Sequence, residues 1–547
     1  MSDPAFAYDY NEGQELYFDE TQNNFVFLAG ECGLRKKDML ARICKDLLLR
    51  GIEKEDILYL NYELPILHGE DVVQLISDFY SARAASEALY LIINEIQECG
   101  DWFSTVTEVR NKYPKIKLLS ASSTPPYIYE KNYDEGCEWC KIVVLSKKNA
   151  SNIKYESQTF GVFEEFKYNQ KGDVIEIKGM TREGKKMPHH VVPKTINGKT
   201  VKIIASGAFH DRSEMLSIDL PDTIEMIGDY AFSKCCNLAE IRLPKNLTYI
   251  GDHSFLGATK LAKIIGGDLV THIGNSAFYK TPWLENQEDF AVIGKTLYKY
   301  KGGNRTVLLP KEISNLASYA FADSGVERVK AVQRVSLGEG VFYRCKNLHE
   351  IAIDIDNIPP YCFYDCVKLK TQFSVEDIGK FGLYNCRNVK SISAKNIGVC
   401  ALAYARKLED VYGVDKLFDG ALFSCENLEG LDFNTIDTIG RFALAKTGLK
   451  SIKFAGSYIG DFALYQLPKL SWVKIDYKTR VGKSVLLDSV SVSTMTISGE
   501  YKLTSYFGGK MPKVTKLYVH GNVSDDFCRN TPYLQELQIL HDEKFGG

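Results

Sequence analysis

At 547 residues the chain is too long for one compact core, so two or more domains, or a domain and an array, are expected. Its composition, 45% hydrophobic and 25% charged, is ordinary for a soluble globular protein. A net charge of -3 lacks the basic surplus of nucleic-acid binders, so no nucleic-acid partner is expected.

The opening stretch, "MSDPAFAYDYNEGQEL", has neither a basic n-region nor an apolar h-region, so no signal peptide is read there. Apolar runs such as "LYLII" (89–93) fall far short of the ~20 residues that span a bilayer. A cytoplasmic location without a membrane partner is the expectation, with the 14 cysteines as reduced thiols.

In chain order, "NNFVFLAG" (23–30) reads as a buried strand. A loop with two glycines, Gly30 and Gly33, follows, and then a helix whose face carries Met39, Leu40, Ile43, Cys44, Leu47 and Leu48. "DILYLNY" (56–62) is the next strand, and Val72, Val73, Ile76 and Phe79 mark a second helix. "LYLIIN" (89–94) precedes a helix carrying Trp102, Val106 and Val109; "KIKLLSA" (115–121) and "KIVVLS" (141–146) are two more strands. Strands alternating with helices predict a parallel sheet covered on both faces.

The order of these signals, and above all "NEIQECGDW", resembles the ATPase domain of a prokaryotic AAA-type family over roughly residues 20–150. That family typically shows a "GxRxxGKT"-like loop, an "LDEIQ…W" strand and an "LTGSSS"-like strand end. The resemblance implies a P-loop site, and this chain departs from it. Gly30 and Lys36 hold the first Gly and the Lys positions, but Arg35 replaces the second Gly, where a side chain obstructs the close approach of phosphate. Lys37 replaces the Ser/Thr hydroxyl that holds Mg²⁺, and Asn94 replaces the Asp that supports the same metal. Glu95, the residue that polarises water in the family, is retained, with Ser120 as a candidate sensor. A cation at a ligand position opposes a divalent metal by several kcal/mol, about 4 per unit charge at 4 Å and an effective dielectric near 20. Phosphoryl transfer rests on that metal and on positioning. The expectation is a retained fold without catalysis and without a cofactor. Metal-free ATP binding is the alternative.

From residue 204 the chain repeats. "IASGAF" (204), "IGDYAF" (227), "IGDHSF" (250) and "IGNSAF" (273) are 23 residues apart, and the pattern resumes at 316 with shorter periods. About 15 units with a period of 19 to 23 residues signal a solenoid. Between the motifs lie short strands such as "LAEIRLP" (238–244), "LHEIAID" (348–354) and "LSWVKID" (470–476). The Gly of "IG" suits a turn of positive φ, and the closing Phe or Leu fills the core between coils. This array resembles BspA-type leucine-rich repeats, whose hallmark is "IGxxAFxxCxxLxxIxLP". The expected architecture is therefore multidomain. An α/β P-loop-like parallel-sheet domain spans 1–155, a strand-rich cap 160–203, and a β-rich leucine-rich-repeat solenoid 204–547, with a hairpin inserted near 283–310.

Cys235, Cys345, Cys366, Cys386 and Cys425 share one slot, which other units fill with Ala, Ser or Thr; this is a small buried position, not a metal ligand. "CEWC" (137–140) lacks the further ligands of a zinc site, and "HH" (189–190) reads as a solvated turn. In each strand the residues flanking the inward Ile point outward. Tyr412, Trp472 and Tyr518, with Lys474 among their cationic neighbours, then form an exposed aromatic face of the composition that binds protein partners. The expected function is protein recognition by the array, with a nucleotide-gated switch and a surface adhesin as alternatives.

Overall fold

The structure is a computed structural model. It describes residues 5–7, 25–30, 36–49, 52–62, 67, 72–81, 89–94, 96, 102–113, 115–122, 141–145, 159–476, 478–498, 511–520 and 531–539. One compact unit runs to Gly302 and a second starts at Gly303.

The first unit opens with a six-stranded sheet in the order β1-β6-β2-β5-β4-β3. Its strands are β1 (Ala5–Ala7), β2 (Phe25–Gly30), β3 (Ile57–Asn61), β4 (Tyr90–Asn94), β5 (Lys117–Ser122) and β6 (Lys141–Leu145). Every pairing is parallel. The helices are α1 (Lys36–Leu49), α2 (Val72–Ser81) and α3 (Trp102–Lys112). Alternation along β4 sorts the core. Tyr90 and Ile92 pack with Leu40 and Leu47 of α1, whereas Leu91 and Ile93 pack with Val72, Val73 and Ile76 of α2 and Val106 and Val109 of α3. With both faces covered, all of β4 is buried. The five expected strands and three helices are all present. β1, three residues of no distinctive pattern, adds a sixth strand.

Next come β7 (Thr159–Phe163), β8 (Phe166–Lys171) and β9 (Val174–Met180), an antiparallel meander. β9 pairs in parallel with Lys199–Ile204, which starts a ladder through Met226, Tyr249 and His272. Residues 189–190 are not a solvated turn. His189–Val191 is a strand on Ser217–Asp219, and His190, 3% exposed, meets Glu165 at 2.8 Å.

The coils stack as the repeat requires. Phe209, Phe232, Phe255 and Phe278 are fully buried with ring centroids 5.2, 5.1 and 5.0 Å apart. The amide of Phe232 donates to Ser254 O and that of Phe255 to Ala277 O, so each coil is tied to the next through its backbone. The expected insertion is present as a single-turn helix (Pro282–Glu285) and an antiparallel hairpin (Phe290–Ile293 with Thr296–Tyr300). Lys301 Nζ donates to the carbonyls of Leu284, Glu285 and Gln287, closing the helix end.

The glycine of "IG" does a different job from the one expected. Gly228, Gly251 and Gly274 are not in the left-handed region. A Cβ on Gly251 would lie 2.6 Å from Asp229 N and 2.7 Å from Gly228 C, so these glycines permit close approach to the preceding coil. Positive φ falls two residues later, on Tyr230, His253 and Ser276, held there by bonds such as Tyr230 N to Asp252 O.

The second unit has a ladder of its own, through Phe321, Phe342 and Phe363 and then through buried leucines, Leu383, Leu402, Leu422, Leu444 and Leu464. Its outward strands form three separate sheets: 306–308 with 328–330 and 350–352; 373–374 with 391–393 and 410–412; and 451–454 with 472–475, 494–498, 516–520 and 536–539.

Candidate functional site

The strand ends of the α/β sheet carry residues at the positions of the implied nucleotide site. Gly30 closes β2, and Lys36 and Lys37 open α1. Gly33 and Glu95 lie outside the described residues. Asn94, at the end of β4 and 1% exposed, donates from Nδ2 to Asn61 Oδ1 at 2.9 Å, a partner across the β3–β4 register that the sequence pattern did not single out. Asn94 Oδ1 and Ser120 Oγ are buried without a hydrogen-bond partner among the described residues. A magnesium nucleotide needs a carboxylate where Asn94 stands. A neutral amide engaged with another amide does not fit that metal.

The array offers a surface instead. On Asp410–Tyr412 and Ser451–Phe454 the outward residues are exposed, as the alternation requires. Tyr412 is 56% exposed. Trp472 is only half-buried rather than open, because it lies between Ser451 and Thr494 on paired strands. Tyr518 is also half-buried. Its hydroxyl donates to Glu536 Oε1 at 2.9 Å, and that bond raises its pKa above the usual phenol value. Lys474 is exposed beside Lys453 on the neighbouring strand.

The shared cysteine slot has a uniform geometry. The thiols of Cys235, Cys345, Cys366, Cys386 and Cys425 donate to Phe209, Phe321, Phe342, Phe363 and Leu402 carbonyls of the preceding coils, at 3.0 to 3.3 Å. Ser489 Oγ makes the equivalent bond to Leu464 O at 2.7 Å. Burial pushes the Cys235 thiol up to about 12, the opposite of an activated nucleophile. Among the described residues no group of three His, Cys, Asp or Glu could hold a metal. "CEWC" (137–140) lies outside the described residues.

Two places interrupt the outward sheet of the second unit. At the first, Thr371 Oγ1 accepts from Ile351 N at 2.9 Å, so a side chain fills the place of a ladder bond. At the second, residues 428–433 ("LEGLDF") form no strand, and no backbone bond joins them to 408–413. Their bond to the next coil is Lys450 N to Glu429 O. A concavity of about 510 Å³ opens there, lined by Glu409, Asp410, Asn427, Glu429 and Gly430. Glu429 receives Lys450 and Lys469, which hold its carboxyl down at about 2. Gly430 stands where other strands carry an outward side chain, a departure that the repeat alignment itself displays.

No helix among the described residues is long and apolar enough to cross a membrane. No curated protein matches the chain. The solved structures it resembles include a leucine-rich repeat protein from Bacteroides ovatus (18% identity, 72% of this chain and 80% of that one, TM-score 0.21). Another is a leucine-rich cell surface protein from Faecalibacterium prausnitzii (16% identity, 47% and 95%, TM-score 0.22). A third is the leucine-rich repeat protein of T. pallidum (22% identity, 46% and 91%, TM-score 0.22). Residues 10–136 match the AAA domain family model. The model of the BspA type leucine rich repeat region matches 192–289, 291–409, 370–471 and 411–508, more than half of the chain. The chain therefore belongs to the BspA-type leucine-rich repeat family and carries an AAA-type domain ahead of its repeats.

Proposed function

We propose that this chain is a non-enzymatic recognition protein that binds a protein partner through the outward strand face of its array. The observation that carries this reading is the row of outward aromatics on parallel strands, Tyr412, Trp472 and Tyr518, with exposed Lys474 among them. Aromatic and cationic side chains together are the composition of interface hot spots. The buried array cysteines, which form no disulfide among the described residues, fit a cytoplasmic setting. Affinity capture from the native host tests it. Trp472→Ala should weaken capture by about 2 kcal/mol or more, and unchanged capture by a folded variant would move the site elsewhere.

The N-terminal domain serves in this reading as a scaffold without phosphoryl transfer, since Asn94 offers magnesium no charge. Magnesium-dependent ATP turnover that disappears in Glu95→Gln would overturn it. Asn94 Oδ1 and Ser120 Oγ, buried and without a partner among the described residues, favour one second reading, a switch that still binds nucleotide without metal. Calorimetric ATP binding with Kd below roughly 100 μM, about -5.5 kcal/mol, would promote that reading.

A further inference from the structure

The second interruption of the outward sheet has the features of a docking notch for an extended chain. Asp410–Tyr412 pairs with Ser391–Ser393 on one side. Its bonds to that neighbour use Glu409 N–H and residues 410 and 412, as in Glu409 N and Asp410 N to Lys390 O and Ala394 N to Tyr412 O. In a parallel ladder the alternate groups face the other way. Glu409 C=O, both backbone groups of Val411 and Gly413 N–H therefore point toward residues 428–433, and no backbone bond reaches them from there. Ser451–Phe454 pairs with Trp472–Ile475 on its far side and presents its other edge to the same coil.

Gly430 keeps the notch open without a conformational reason. Its φ is not in the left-handed region, and a Cβ added to it would meet nothing within 4 Å. The "IG" glycines, by contrast, would collide with backbone. At the other interruption the equivalent gap is filled by the Thr371 side chain. The carboxylates lining the notch differ in their pairing. Lys390 sits 3.7 Å from Glu409, and two lysines hold Glu429. Asp410 has no ion pair among the described residues, lies exposed, and shares its strand face with Tyr412.

We propose that this notch receives one strand of an extended partner segment, with a lysine or arginine beside Asp410 and an aromatic or β-branched residue beside Tyr412. The added strand supplies the missing ladder bonds to Glu409, Val411 and Gly413, which gives affinity in any sequence. The pairs across the new strand junction give selectivity, because opposite charges and aromatic neighbours on adjacent strands attract. The proposal rests on the reading of the strand face as the partner surface, and it names the class of segment that face takes.

The test uses the full chain and fluorescent, end-blocked octapeptides of alternating Thr and Val that carry one Lys, with Gln versions as controls. The Lys peptides should bind, and the Gln version or Asp410→Asn should weaken binding about tenfold. Gly430→Thr, which mimics the filled interruption at Thr371, should abolish binding while thermal unfolding stays unchanged. N-methylation of alternate peptide amides should also abolish it. No binding of any Lys peptide up to millimolar concentration, or binding indifferent to N-methylation or to Asp410→Asn and Gly430→Thr, would overturn the proposal. If captured partner is lost in Trp472→Ala but retained in Asp410→Asn and Gly430→Thr, the notch is wrong and the face reading stands. If all three variants retain it, both fall.

Discussion

The α/β sheet and the repeat array meet the demand for a buried core in different ways. In the sheet, β4 lies between helices drawn from both sides of it in the sequence, and each core residue has one environment and no counterpart. In the array each coil leans on the next, and Phe232 has equivalents in Phe255, Phe278, Phe321, Phe342 and Phe363. The lesson concerns inference. A departure from pattern in the sheet, such as Asn94, can be judged only against the chemistry it replaces. A departure in the array, such as Gly430, can be judged against its sisters within the same molecule.

That equivalence can be tested, and the largest effect should come from the ring ladder. Phe232→Ala should cost about 3–5 kcal/mol, and Phe342→Ala the same within about 1. Hydrogen exchange should show protection lost around the altered coil while β4 keeps its own. Equal loss in β4 would erase the distinction between the two regions.

Glycines give the next contrast. Gly251→Ala forces a Cβ to 2.6 Å from Asp229 N and should destabilise by roughly 1–3 kcal/mol, the usual range for overpacking. Gly430→Ala, with nothing within 4 Å, should stay within about 0.5 kcal/mol in chemical denaturation. A smaller change is expected at the cysteine slot. Cys366→Ala removes one thiol bond to Phe342 O in a position where other coils carry Ala, so about 1 kcal/mol or less should be lost. The smallest effect is electrostatic. Glu429 has its pKa lowered to about 2 by the Lys450 and Lys469 hydrogen bonds, so their contribution is present above the ordinary carboxylate pKa, 4.5, and lost as pH falls through about 2. Thermal unfolding of wild type and Glu429→Gln should therefore differ at pH 6 and converge near pH 2.

Much of this was legible because periodicity reports burial directly. The repeats, the hairpin, the outward alternation and the five sheet strands all follow from spacing. What escaped were facts set by approach between distant segments. The His190–Glu165 contact joins residues 25 apart through a meander that no local pattern fixes. Glycine serves both turns and close contacts, and only the neighbouring coil decides which of the two the "IG" glycine serves. Asn61 looked like any strand end until its register placed it beside Asn94. "LEGLDF" carries the strand pattern, and nothing in those six letters says that the ladder stops there.

The bonds between coils have one more consequence. They connect main-chain groups at equivalent places, Phe232 N to Ser254 O in coils of one length and Leu383 N to Ala401 O in coils several residues shorter. The junction therefore does not register how long a coil is, so long as its closing motif arrives in phase. A gene encoding such a chain can gain or lose whole units by unequal recombination and still specify matched joints, whereas a deletion of half a unit leaves a joint with no mate. The number of coils, and with it the length of the outward face, is then open to selection by whatever that face must span.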